Sequence, residues 1–168
     1  MFLAAEKNRG YAAGNNIGIR CAVERFHADI IFVSNPDIIC KEETFTKICE
    51  HMQKSENAGI VTGFLHVKDE NDNLEYYSSF AYRIPEKKDA LLNCLPITTK
   101  IRKDLLRSSI YYEPEQVISD YIIQAGVVSG CFFAISAEAY NAIDGFDEDT
   151  FLYNEEPIIG YRLRQAGY

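Results

Sequence analysis

The sequence has no tryptophan, two methionines and three histidines in 168 residues. His27, His51 and His66 are scattered, so a histidine metal cluster is not expected. The cysteines are Cys21, Cys40, Cys49, Cys94 and Cys131, an odd number with no CxxC pair. That argues against a disulfide framework or a zinc site and for reduced, partly buried thiols. No apolar run reaches the roughly 20 residues of a transmembrane helix. The opening MFLAAEKNRG has too short an apolar part for a secretion signal. A cytoplasmic location is therefore expected. Positive charge is scarce too: 17 basic against 25 acidic residues leave a net charge of -8. A nucleic-acid binder needs a basic face, so nucleic acid is not an expected partner.

What is present is a globular composition, 47% hydrophobic, enough for one core. Ile19, Ala22, Val23 and Phe26 recur at i, i+3, i+4 and i+7, which predicts an amphipathic helix. Asn15 or Asn16 is the expected N-cap. Ile30-Ile31-Phe32-Val33 is a continuous apolar run. It predicts a strand covered on both faces, as in a parallel sheet. Ser34-Asn35-Pro36-Asp37 ends it with turn chemistry. Phe45, Ile48, Cys49 and Met52 predict a second helix, and residues 59–64 a second strand. Alternation of this kind belongs to an α/β layer.

Farther on, residues 69–73 predict a hairpin turn. Residues 85–119 read as an insertion with one or two short helices. They carry Lys87, Lys88, Lys100, Arg102, Lys103 and Arg107. A charge run usually faces water; the sharper expectation is an anionic acceptor or the membrane surface. An apolar segment over 127–135 contains Gly130. Ser136 should cap a helix ending near Ile143, and a last helix should bury Ile159, Leu163 and Ala166 before stopping at Gly167.

Three patterns carry chemistry. Asn8-Arg9-Gly10-Tyr11-Ala12-Ala13-Gly14-Asn15-Asn16 sets glycines and amides at a helix start, a place suited to anionic ligands. Its plain alternative is a capping loop. Asn35-Pro36-Asp37 follows a buried strand, where open α/β sheets bind ligands. A carboxylate there can hold magnesium or manganese on a diphosphate; the plain alternative is a turn. The third pattern is Gly145-Phe146-Asp147-Glu148, then Phe151-Leu152-Tyr153-Asn154-Glu155-Glu156-Pro157. Carboxylates at a helix start satisfy the dipole, with Asn154 as N-cap. They can also serve as a general base.

Together, in this order, the patterns resemble family 2 glycosyltransferases, particularly bacterial rhamnosyltransferase-like members. The first block resembles the family's N-x-G-[FY]-A-x-G-N-N stretch. Asn35-Pro36-Asp37 resembles a variant DXD motif, with Asn35 in place of the first aspartate. The third block, with Arg162, Arg164 and Gly167-Tyr168, resembles G-F-D-E, F-L-Y, E-D and R-x-x-x-x-G-Y, with Glu155-Glu156 in place of Glu-Asp. The resemblance spans nearly the whole chain and is weakest over 85–119.

The resemblance implies an α/β fold of the GT-A type, a layered sheet with helices on both faces. It implies one partial domain over residues 1–168, lacking the front of the nucleotide-binding half, so that the isolated chain is expected to be inactive. It implies a nucleotide-diphosphate sugar as donor, a glycan or lipid-linked acceptor and inversion of configuration. Asn8, Gly14, Asn15, Asn35 and Asp37 would bind the donor, and Asp37 would hold a divalent cation. Asp147 and Glu148 would bind the acceptor. Glu156 matches the position of the base, with Glu155 beside it. The expected location is the cytoplasm, at the inner membrane face where the acceptor is lipid-linked. Two other functions compete: a non-catalytic glycan-binding or scaffold remnant, and a nucleotidyltransferase. The latter needs a glycine-rich basic phosphate loop, and none is visible.

Overall fold

The computed structural model of the chain describes residues 1–76, 80–87, 112 and 122–168. Four helices lie among them: α1 (Tyr11–Phe26), α2 (Glu42–Lys54), α3 (Ala137–Ala142) and α4 (Glu155–Gln165). The strands are β1 (Ile30–Ser34), β2 (Ile60–Val61), β3 (His66–Lys68), β4 (Leu74–Tyr76), β5 (Ala81–Tyr82), β6 (Val127–Val128) and β7 (Phe132–Ser136).

The central sheet has the order β1-β7-β2, and both pairings are antiparallel. Ile30 faces Ser136, and the register runs to Ser34 opposite Phe132. Alternate side chains leave opposite faces of a strand, and here both faces are covered. On one face Ile31, Val33, Phe133 and Ile135 pack with Ala12 and Ile19 of α1, Ala139 and Tyr140 of α3, and Ile159 and Leu163 of α4. On the other, Phe132 and Ala134 pack with Ile48 and Met52 of α2, with Phe32 and Val61 alongside. Phe45 closes that side edge-on, 4.9 Å from the Phe32 ring and 5.9 Å from the Phe132 ring. Each fully buried aliphatic or phenyl group there contributes about 1.5–3 kcal/mol. The expected layered α/β arrangement with helices on both faces is present. The expectation of parallel pairing is corrected for β1: a continuous apolar run reports two covered faces and says nothing of strand direction.

The β3–β4 hairpin turns over residues 69–73, as expected. Asp69 organises it by accepting from the backbone N–H groups of Asn71 and Asn73. Ser136 caps α3, its Oγ accepting from the Ala139 N–H at 3.1 Å. Three expectations are corrected. Helix α1 begins at Tyr11, with Gly10 at the N-cap position rather than Asn15 or Asn16. Asn154 lies in the left-handed region, φ 70°, and makes no side-chain cap. Ala166 is exposed, although Ile159 and Leu163 of the same stripe are buried. Most of the basic stretch, from 88 to 111, lies outside the described residues. Among the described residues no helix is long and apolar enough to cross a membrane.

Candidate active site

The first block wraps the start of α1. Gly10 sits at φ 95°, and a Cβ there would come within 2.1 Å of the Phe151 carbonyl oxygen. Only glycine fits that contact and that backbone conformation. Asn8 Oδ1 accepts from the Gly10 N–H at 2.9 Å, and the Tyr11 N–H donates to the Phe151 carbonyl at 2.9 Å. Asn15 Nδ2 donates back to the Tyr11 carbonyl. Residues 5–10 and the first turns of α1 border an open cleft of about 500 Å³, and Asn8 and Gly14 line it.

Asn16 is turned the other way. It is fully buried, and its amide is satisfied at both ends. Nδ2 donates to the Phe146 carbonyl and to Glu148 Oε1, each at 2.9 Å. Oδ1 accepts from the Tyr140 hydroxyl at 2.8 Å and the Phe146 N–H at 2.9 Å. It therefore ties α1 to the loop carrying the third block.

Asp147 and Glu148 of that loop are each engaged by arginines. Glu148 pairs with Arg9 at 2.9 Å and Arg20 at 3.3 Å. The Asn16 hydrogen bond and these two guanidinium groups hold its carboxyl below the usual range. Asp147 pairs with Arg162 of α4 at 2.6 Å. The loop ends in two consecutive left-handed residues, Tyr153 (φ 73°) and Asn154 (φ 70°). Each such conformation costs on the order of 1–3 kcal/mol, which surrounding contacts must offset.

Glu155 and Glu156 open α4 and have different surroundings. Glu155 is 2% exposed, and its Oε1 has no hydrogen-bond partner among the described residues. Glu156 is half-buried, and its Oε1 accepts from the Gly130 N–H at 3.2 Å. The Gly130 carbonyl accepts from the Tyr11 hydroxyl. Burial first, and the nearby Glu156 charge second, push the Tyr11 phenol well above its ordinary pKa. The Cys131 carbonyl takes the Asn35 N–H at 2.8 Å. A single turn at Gly130 and Cys131 thus touches all three sequence blocks. Asn35 and Asp37 are exposed beyond β1, and the Asp37 side chain bonds to no other described residue. Among the described residues no three His, Cys, Asp or Glu side chains form a metal-binding group.

Sequence reasoning missed Tyr11 and Gly130 as site members. A glycine inside an apolar strand-like segment signals close backbone approach, and a tyrosine in a buried stripe needs a partner for its hydroxyl. Both signals were present. The partner identities lie 119 residues apart in sequence and are not readable from it.

The sequence compares with known proteins in the same sense. It is 24% identical over 161 residues to rhamnosyltransferase WbbL of Escherichia coli (strain K12), covering 94% of this chain and 55% of that protein. The chain thus spans about half the length of this curated relative. No solved structure matches it. The family model for glycosyl transferase family 2 matches residues 2–143, which takes in the first two blocks and the turn at Gly130 and Cys131, and the chain belongs to that family.

Proposed function

We propose that this chain supplies donor-holding and proton-accepting residues of a transferase that moves a sugar from a nucleotide-diphosphate sugar to a glycan or lipid-linked acceptor, with inversion. One observation carries the reading: Tyr11, Asn35 and Glu156, one from each block, all bond to Gly130 or Cys131. Glu156 is the base. One of its oxygens is tied to the Gly130 N–H, while Oε2 bonds to no other described residue and is available to an acceptor hydroxyl. The acceptor oxygen bonds to the anomeric carbon from the face opposite the diphosphate. The bond to the diphosphate breaks, and the hydroxyl proton passes to Glu156.

On the donor side, Asn8 and Gly14 line the cleft and Asn15 lies on the same helix, where side-chain amides can meet a polar group of the donor. Asp37 and Asn35 offer hard oxygen donors. An exposed carboxylate without a partner among the described residues suits magnesium or manganese, which take one or two carboxylates and complete their shell with substrate phosphates. When bound, the cation neutralises charge on the departing diphosphate. Asp147 and Glu148 act toward the acceptor through the loop they brace, which leads directly to Glu156. The relative's name makes a rhamnosyl donor the first to test.

The test is nucleoside diphosphate release from UDP-, dTDP- and GDP-sugars with manganese, in the protein that carries this chain. Glu156→Gln keeps the shape and removes the charge. Turnover should fall about 10²-fold or more, the usual scale for losing a general base, with donor affinity little changed. Full turnover in Glu156→Gln, with the loss appearing in Glu155→Gln instead, would reverse the assignment.

A further inference from the structure

We propose that Tyr11 is a positioning residue for this reaction: its hydroxyl fixes the turn at Gly130 and Cys131, and that turn sets Glu156 on one side and the Asn35-Pro36-Asp37 loop on the other. The inference rests on Glu156 being the base.

Two side chains bracket one α-carbon. The Gly130 carbonyl accepts from the Tyr11 hydroxyl at 2.5 Å, and the Gly130 N–H donates to Glu156 Oε1 at 3.2 Å. A Cβ at position 130 would lie 2.6 Å from that Oε1 and 3.0 Å from the Tyr11 hydroxyl oxygen. A side chain at position 130 would have to displace the Glu156 carboxylate, so glycine lets the phenol and the carboxylate both reach the backbone. The next residue continues the linkage. The Cys131 carbonyl takes the Asn35 N–H at 2.8 Å, extending the β1–β7 pairing one step past Ser34 opposite Phe132. A shift of this turn therefore moves the base and the metal-side loop together.

Tyr11 is itself well anchored. Its N–H is held by the Phe151 carbonyl, in the contact only Gly10 permits, and its carbonyl takes the Asn15 amide. The titratable groups gathered around it are Glu156, Cys131 and Glu155. All three, when ionised, disfavour a phenolate. The hydroxyl thus stays a donor across the working pH range. Phenylalanine would fill the same space without holding the turn, so the hydroxyl alone can be tested.

The variant is Tyr11→Phe, and it has two readouts. The first is amide hydrogen exchange by NMR on this chain. The Gly130 and Asn35 amides should exchange about tenfold faster, as expected for loss of a part-buried hydrogen bond that holds the turn. The β1–β7 ladder amides should be unchanged. Unchanged Gly130 exchange, or equal loosening of the whole ladder, overturns the proposal. This arm needs no turnover, so it decides the linkage even where no sugar is transferred. The second is a kinetic double-mutant cycle with Glu156→Gln in the active protein. Tyr11→Phe alone should lower kcat about tenfold while the donor KM stays within about twofold, and it should cost nothing further beside Glu156→Gln. Additive losses, or a change in KM alone, overturn the positioning role while leaving Glu156 as the base.

Discussion

Replacing Asn16 with alanine should destabilise the fold more than any other polar substitution in the first block. The side chain is fully buried and makes four hydrogen bonds: to the Phe146 carbonyl and N–H, the Tyr140 hydroxyl and Glu148. Alanine leaves the two Phe146 backbone groups without their partner and removes one partner of the Tyr140 hydroxyl, which keeps Arg20. Each buried polar group left unpaired costs about 1–3 kcal/mol. Glu148 keeps Arg9 and Arg20, so its share of the loss is smaller. The sum is about 4 kcal/mol, a large part of the roughly 5–15 kcal/mol that holds an ordinary domain folded. In urea, with a slope of about 2 kcal/mol/M, the midpoint should move down by about 2 M. Asn16→Asp sharpens the test. It keeps the shape but replaces the amide donor with an oxygen 2.9 Å from the Glu148 carboxylate. Like charges at that distance repel, so this variant should regain stability on acidification relative to the parent. A midpoint within about 0.3 M of the parent for Asn16→Ala would refute the reasoning. It would mean that water reaches the freed groups.

Gly10→Ala should also destabilise, by about 2 kcal/mol or more, because the new Cβ meets the Phe151 carbonyl and φ is 95°; thermal melting checks it, and an unchanged Tm would contradict the contact. Asp37→Ala should leave the melting temperature unchanged, since the side chain bonds to no other described residue, and abolish manganese-dependent transfer in the active protein. The Glu148 carboxyl is held below its ordinary value of 4.5 by Asn16, Arg9 and Arg20. Its contribution should be complete above pH 4.5 and fall away as the pH drops through the lowered value. Glu148→Gln should flatten that part of the acid limb in urea midpoints taken across pH; an identical limb would show that the carboxylate is not paired in solution.

The periodic signals were the legible part of the fold. Ile48 and Met52 are buried as the stripe in α2 predicts, and Ser136 caps α3 because its hydroxyl has a local partner three residues on. Local chemistry misled where distant groups compete for the same side chain. Asn16 looks like a helix cap but gives its amide to residues 130 and 132 positions away. Two glycines in the first block look like a loop, yet α1 runs through Gly14 because only Gly10 has the positive φ. Residues 59–64 read as one strand, yet only Ile60 and Val61 pair, beside β7. Of the site, the three blocks were visible, because each is continuous in sequence. The turn that joins them was not, because it is recognised by backbone groups that any residue carries.

The two glutamates opening α4 illustrate how burial divides roles that sequence leaves equal. Successive helical residues point about 100° apart, so only one of the two could face the proposed acceptor. Glu155 is the one driven inward. It is 2% exposed with Oε1 unpaired among the described residues, an arrangement that costs stability wherever no partner reaches it. Its position at the first turn of α4, near the positive end of the helix dipole, offsets part of that cost. It has no route to an external hydroxyl without moving the helix. Glu156 has one oxygen fixed by the Gly130 N–H and the other unclaimed by any described residue. A base needs that asymmetry. The fixed oxygen holds the carboxylate in one orientation, and in the proposed role the other would accept the proton. The turn that provides the fixing hydrogen bond also carries the Asn35 loop, so under the proposed roles proton removal and donor binding would share one support.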